Sequence, residues 1–165
     1  GVLQDMGLNL TRDHIKSGLA SAEWHARFEI LGSRNNRSNL LFPHTKLLVL
    51  DGGHNPQGAE ALRKALEKYF GGMRIHHVMG VLKDKDYKTM LQILGPIANK
   101  ISTVTPSSPR ALSAEDLAEE AKAQGFKAEA YPLVQLAVQQ ALGDFFGEVI
   151  VLTGSLTLFK DLGVK

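Results

Sequence analysis

Cysteine is absent from all 165 residues, which excludes disulfides, thiolate metal sites and cysteine nucleophiles together. Neither sign of charge dominates, with 19 Lys and Arg against 17 Asp and Glu for a formal net charge of +2, and aromatic residues make up 7% of the chain. No Lys/Arg stripe with interleaved aromatics occurs, so a nucleic-acid partner is not expected. No apolar run approaches the roughly 20 residues a membrane span needs, and the N-terminus carries no signal-peptide pattern. A cytoplasmic protein without a membrane partner is therefore expected. Two nucleotide-binding fingerprints are also missing, the Gly-x-x-x-x-Gly-Lys-[Ser/Thr] loop and the Gly-x-Gly-x-x-Gly turn. The chain thus lacks the usual means of holding a triphosphate or dinucleotide alone. What is present is an ordinary balance of 44% apolar and 22% charged residues, enough for a sizeable core in one domain.

The pattern organises around Leu47-Leu48-Val49-Leu50-Asp51-Gly52-Gly53-His54-Asn55-Pro56. An apolar strand runs into a glycine turn, and Asn55 with Pro56 suits the cap and first position of a helix over 56–70. Leu62, Ala65, Leu66, Tyr69 and Phe70 follow helical spacing and predict its buried face. Strands and helices then alternate. Strands are expected at 74–82, 100–105, 127–131 and 148–153. Helices are expected after Lys83-Asp84-Lys85-Asp86 (ended or kinked at Gly95-Pro96), from Ser113 to about Gln124, over 134–146 and after Gly154-Ser155 with Phe159 and Leu162 inward. This alternation predicts an α/β, Rossmann-like fold: a mostly parallel sheet flanked by helices.

The first 22 residues are thinner, with Thr11 suited to cap a short helix bearing Ile15 and Leu19. Residues 24–31 suggest a short strand with Phe28 and Ile30 on one face, followed by a polar turn over 33–39 and a hairpin return at Leu40-Leu41-Phe42.

In such a sheet the loops after the strands share one edge, so 51–55, 83–86, 105–110 and 153–155 should converge. Asp51 suits ribose hydroxyls, a metal or base chemistry, and equally a turn before glycine. His54 suits a phosphate contact or proton transfer, or simply a solvated loop, and Asn55 suits a helix cap better than a ligand. Ser155 offers a hydroxyl to a carboxylate or phosphate, or a plain cap; the Asp84–Asp86 cluster is a candidate contact or a solvated helix start. Arg27 is either a strand-edge charge or an anion contact. His76 and His77 are adjacent in a strand and point to opposite faces, so no metal site is expected.

Taken in order, Trp24-His25-Ala26-Arg27-Phe28-Glu29, Leu50-Asp51-Gly52-Gly53-His54-Asn55-Pro56, Gly80 with Lys83-Asp84-Lys85-Asp86, Arg110-Ala111 and Val151-Leu152-Thr153-Gly154-Ser155-Leu156 form five motifs. Together they resemble folylpolyglutamate synthase/dihydrofolate synthase, a branch of the Mur ligase superfamily. The resemblance runs from about residue 10 to the C-terminus. His25-Ala26 stand where that family has Pro-Gly, Gly53 stands where it has Ala, and the polar stretch 34–39 is longer than expected.

The resemblance implies a Mur ligase C-terminal domain over 24–165, with 1–23 as linker and last helix of an N-terminal P-loop domain belonging to the same polypeptide. It also implies an ATP-dependent ligase that joins L-glutamate to folate or dihydropteroate through an acyl phosphate. On this resemblance Arg27, Asp51, His54 and Asn55 face ATP, with Asp51 and His54 catalytic. Ser155, Asp84 and Lys85 face glutamate, and the Mg2+ ligands lie mainly in the N-terminal domain. Another Mur-type amino-acid ligase, or a stand-alone nucleotide- or amino-acid-binding module, would share much of this pattern.

Overall fold

In a computed structural model the described residues are 7, 11–21, 27–31, 47–143 and 148–163. Six strands form one sheet: β1 (Glu29–Leu31), β2 (Leu47–Asp51), β3 (Ile75–Met79), β4 (Ala98–Val104), β5 (Ala128–Tyr131) and β6 (Val149–Thr153). The helices are α1 (Arg12–Ser21), α2 (Pro56–Phe70), α3 (Tyr87–Leu94), α4 (Ala114–Ala123), α5 (Val134–Gly143) and α6 (Thr157–Leu162), with a 3₁₀ turn at Gly95–Ile97. The strand order is β1-β2-β6-β3-β4-β5; β1 runs antiparallel to β2 and all other pairings are parallel.

Strand alternation divides the interior into two layers. Val49, Ile75, Met79, Ile101, Val149 and Val151 face α2, α3 and α4, meeting Leu62, Leu66, Leu91 and Leu117. Leu48, Leu50, Val78, Val104, Ile150 and Leu152 face α5 and α6, meeting Val138, Ala141, Leu158 and Phe159. Each residue of β3 and β6 is buried, which explains why β6 is an unbroken apolar run.

The predicted starts and stops follow local chemistry. Asn55 Oδ1 accepts from Gly58 N at 2.8 Å, Asp86 Oδ1 from Thr89 N at 3.2 Å and Ser113 Oγ from Asp116 N at 3.1 Å, each capping the helix that follows. Thr11 Oγ1 caps α1 in the same way, accepting from His14 N at 3.1 Å. The described side chains of α1 are exposed, Ile15 among them.

Several expectations need correction. β3 ends at Met79 rather than residue 82: Gly80 N still donates to Thr153 O, but Leu82 leaves the sheet to bridge Ala111. β4 begins earlier than expected, at Ala98. Tyr69 is 59% exposed, while the neighbouring Phe70 turns inward. Ile30 is exposed rather than inward, because Phe28 at φ +48° breaks the strand alternation ahead of β1. β1 pairs with β2, whereas the expected turn and hairpin return over 33–42 lie outside the described residues. The positions Trp24, His25, Ala26, Phe145 and Phe146 also lie outside them.

The adjacent histidines of β3 divide as strand geometry demands. His76 Nε2 lies 2.8 Å from Ser102 Oγ, in the layer beneath α5. His77 is buried in the opposite layer, and neither ring nitrogen has a hydrogen-bond partner. Burial, with a smaller contribution from the neighbouring His76, pushes the His77 pKa down to about 3.

Candidate functional site

The strand order creates the site. β6 lies between β2 and β3 and passes its chain to α6 on one face, while β2 and β3 pass theirs to α2 and α3 on the other. Connections that diverge from neighbouring parallel strands leave a crevice at their C-terminal ends. The loops after β2, β6 and β3 therefore meet there.

The first loop is built on Asp51, which is only 9% exposed. Its Oδ1 accepts from Gly53 N at 2.8 Å and its Oδ2 from Phe28 N at 3.0 Å. Burial pushes its pKa above the usual carboxylate value, while the Gly53 and Phe28 amides and the charge of Arg27 act the other way. His54 is half-buried, with Nδ1 3.1 Å from Gly52 O. A carbonyl oxygen only accepts, so the neutral ring carries its hydrogen on Nδ1 and keeps the Nε2 lone pair.

The second loop crosses between its neighbours. Thr153 Oγ1 donates to Gly53 O at 3.5 Å, and Thr153 O accepts from Gly80 N at 3.2 Å. Gly154 adopts φ +107°, and a Cβ there would lie 2.4 Å from Gly80 O. Glycine alone lets these two backbones cross so closely. Ser155 is buried, its Oγ 3.0 Å from Thr157 Oγ1 and accepting from Thr157 N at 3.4 Å.

The third loop is tied to a fourth. Lys83 N donates to Arg110 O at 2.8 Å and Leu112 N to Val81 O at 3.0 Å, forming a short antiparallel rung beyond the sheet. Arg110 Nη1 stands 3.2 Å from Asp84 Oδ2, and Lys85 Nζ is 3.7 Å from the same oxygen. Ser107 donates from both N and Oγ to the Asp161 carboxylate, joining this loop to α6.

The structure thus brings Asp51, His54 and Ser155 onto adjacent loops, with Asp84 and Lys85 on the next. It commits the Asn55 oxygen to capping and the Asp84 carboxylate to Arg110 and Lys85. Sequence reasoning missed three contributors: Phe28, whose amide holds Asp51; Thr153, whose hydroxyl reaches Gly53; and Asp161, which anchors Ser107. Phe28 and Thr153 lie within motifs, but their partners are remote in sequence and no spacing announces the pairings. Among the described residues no three His, Asp or Glu side chains gather as a metal site, and no helix is long and apolar enough to cross a membrane. Guanidinium and ammonium groups and a hydroxyl around a crevice can bind and orient an anionic ligand, and an imidazole acceptor can face a donor group beside it. Neither Asp51 nor Asp84 is an unengaged carboxylate, so the arrangement is equipped for orientation more than for base chemistry.

Residues 26–156 match the family described as Mur ligase, glutamate ligase domain. The folylpolyglutamate synthase of Lacticaseibacillus casei is 35% identical over 150 residues, covering 90% of this chain and 31% of that protein. Escherichia coli FolC, solved in complex with DHPP and ADP, superposes with a TM-score of 0.79 at 26% identity, covering 98% of this chain and 36% of that one. A bifunctional folylpolyglutamate synthase/dihydrofolate synthase solved with Mn, AMPPNP and L-glutamate bound gives 0.78 at 27% identity, covering 98% and 37%. The chain spans about a third of the length of the curated relatives it matches.

Proposed function

The chain belongs to the Mur ligase family, in its glutamate ligase domain, and from that premise we propose that it is the C-terminal domain of an ATP-dependent ligase adding L-glutamate to folate or dihydropteroate. The observation that carries this reading is the convergence of the Asp51–Asn55, Thr153–Ser155 and Lys83–Asp86 loops at one crevice. A P-loop domain of the same polypeptide, working in the cytoplasm, would supply the triphosphate site that this chain lacks.

In the proposed reaction a carboxylate oxygen of the pterin substrate attacks the γ-phosphorus of ATP. The bond to the β–γ bridging oxygen breaks, releasing ADP and leaving an acyl phosphate. The glutamate amine then attacks the acyl carbon; the carbon–oxygen bond to phosphate breaks, and the amine gives up a proton. Activation before attack replaces a poor electrophile with a good one. The contribution of this domain is orientation across a cleft, a term worth several kcal/mol in well-aligned reactions.

Arg27, Asp51, His54 and Asn55 form the nucleotide side, with His54 near the phosphates and its Nε2 lone pair available to the incoming amine. Ser155, Asp84 and Lys85 form the glutamate side; Asp84 also fixes Arg110 there. Magnesium would accompany the nucleotide, but the described residues here do not gather a ligand set for it. Its ligands would come mainly from the other domain.

The test is ligation by the full-length polypeptide. Sustained release of ADP and phosphate should require ATP, glutamate and a pteroate or folate acceptor together. The isolated 165-residue chain should be inactive. Turnover by the isolated chain, or none by the full-length polypeptide with either acceptor, would overturn the reading.

A further inference from the structure

Asp51 is held by the main chain. Both oxygens are taken by backbone amides, Gly53 N at 2.8 Å and Phe28 N at 3.0 Å, and the side chain is buried. One amide belongs to the ligand turn and the other to the segment that leads into β1, 23 residues earlier. Phe28 is gripped a second time through its ring, whose centroid lies 5.6 Å from that of Tyr69 and 6.1 Å from that of Phe70 at the end of α2. Between these two holds its backbone sits at φ +48°, the one positive φ outside glycine among the described residues. A phenylalanine keeps such a conformation only where its surroundings enforce it. Arg27 precedes it directly, close enough for its charge to act on Asp51.

We infer that Phe28 and Asp51 form a clamp that positions Arg27 at the crevice, so that Asp51 serves the nucleotide by aiming Arg27. This rests on the ligase reading above, in which Arg27 meets ATP. The chemistry of the clamp requires a carboxylate. Two N–H donors need two acceptor oxygens, and asparagine would turn an NH2 donor toward one of them. It also requires an apolar side chain at position 28: the β1 pairing begins only at Glu29, so packing on Tyr69 and Phe70 is what fixes the residues ahead of it.

The experiment uses the full-length polypeptide with Phe28→Ala, Phe28→Leu and Asp51→Asn, reading the Kd for ATP and the KM for glutamate. Phe28→Ala should weaken ATP binding about tenfold while the glutamate KM moves less than roughly twofold, the split expected when one substrate's contact is misplaced. Phe28→Leu, which keeps an apolar contact with Tyr69 and Phe70, should recover most of the loss. In Asp51→Asn, hydrogen exchange at the Phe28 amide should quicken by about tenfold or more while the amides of Val49 and Leu50 stay protected. An unchanged ATP Kd in Phe28→Ala, a proportional loss for both substrates, or unchanged protection of the Phe28 amide would overturn the clamp. Wild-type protein that binds ATP but ligates nothing would defeat the ligase reading alone, and the ATP Kd and exchange would still decide the clamp.

Discussion

Asp51 and Asp84 each open a turn at the same edge of the sheet, and they are held by opposite means. Asp51 is buried and bound by two backbone amides, with Gly154 crossing Gly80 alongside. Asp84 is 46% exposed and held by the charges of Arg110 and Lys85. Water screens the second arrangement and barely reaches the first. The ligand edge therefore has a rigid inner half, built from backbone contacts, and an adjustable rim, built from ion pairs. A domain that binds ATP on one side and accepts an amino acid on the other would make use of both.

The inner half should fail hardest. Gly154→Ala places a Cβ against Gly80 O in a backbone conformation that alanine resists. A loss of about 3 kcal/mol or more is expected, measured by denaturant unfolding; a loss near that of an ordinary surface substitution would show that the crossing is not tight.

Acid should act on the buried layer that holds His77. Unfolded His77 takes up a proton below about 6.5, whereas the folded ring does so only near 3. Protons therefore favour the unfolded state across that window, and stability falls as pH drops from 6.5 towards 3, by up to about 1.4 kcal/mol per unit from this group. Above 6.5 the effect vanishes. His77→Leu should remove that share of the slope and be neutral or stabilising at pH 7; parallel pH curves for the two proteins would refute it.

The rim should yield least. Asp84→Ala is expected to cost less than about 1 kcal/mol of stability, and less still in molar salt, because Arg110 is solvent-exposed and Lys85 only half-buried. A larger, salt-independent cost would erase the contrast between the two aspartates.

Much of the molecule was legible residue by residue. Asn55 with Pro56 and Ser113 announced where helices begin, and Gly95-Pro96 where one ends, since capping and turn chemistry act over three or four residues. The apolar run of β6 announced a strand buried on both faces, and the βα alternation announced parallel pairing. Where local period was the sole guide, it misplaced side chains such as Tyr69 and Ile30. A helical stripe is wider than what its neighbours cover, and a single positive φ at Phe28 reverses the phase of the short strand after it.

What the sequence determined by itself was therefore the kind of turn at Asp51-Gly52-Gly53, the helix behind it and the class of sheet in front of it. Which groups that turn would hold was decided only by the tertiary structure. The partner of Asp51 comes from Phe28, that of Asp84 from Arg110, and that of Gly53 O from Thr153, at separations of 23, 26 and 100 residues. Such pairings depend on β6 inserting between β2 and β3, a long-range choice made by the burial of whole layers. No spacing along the chain records that choice.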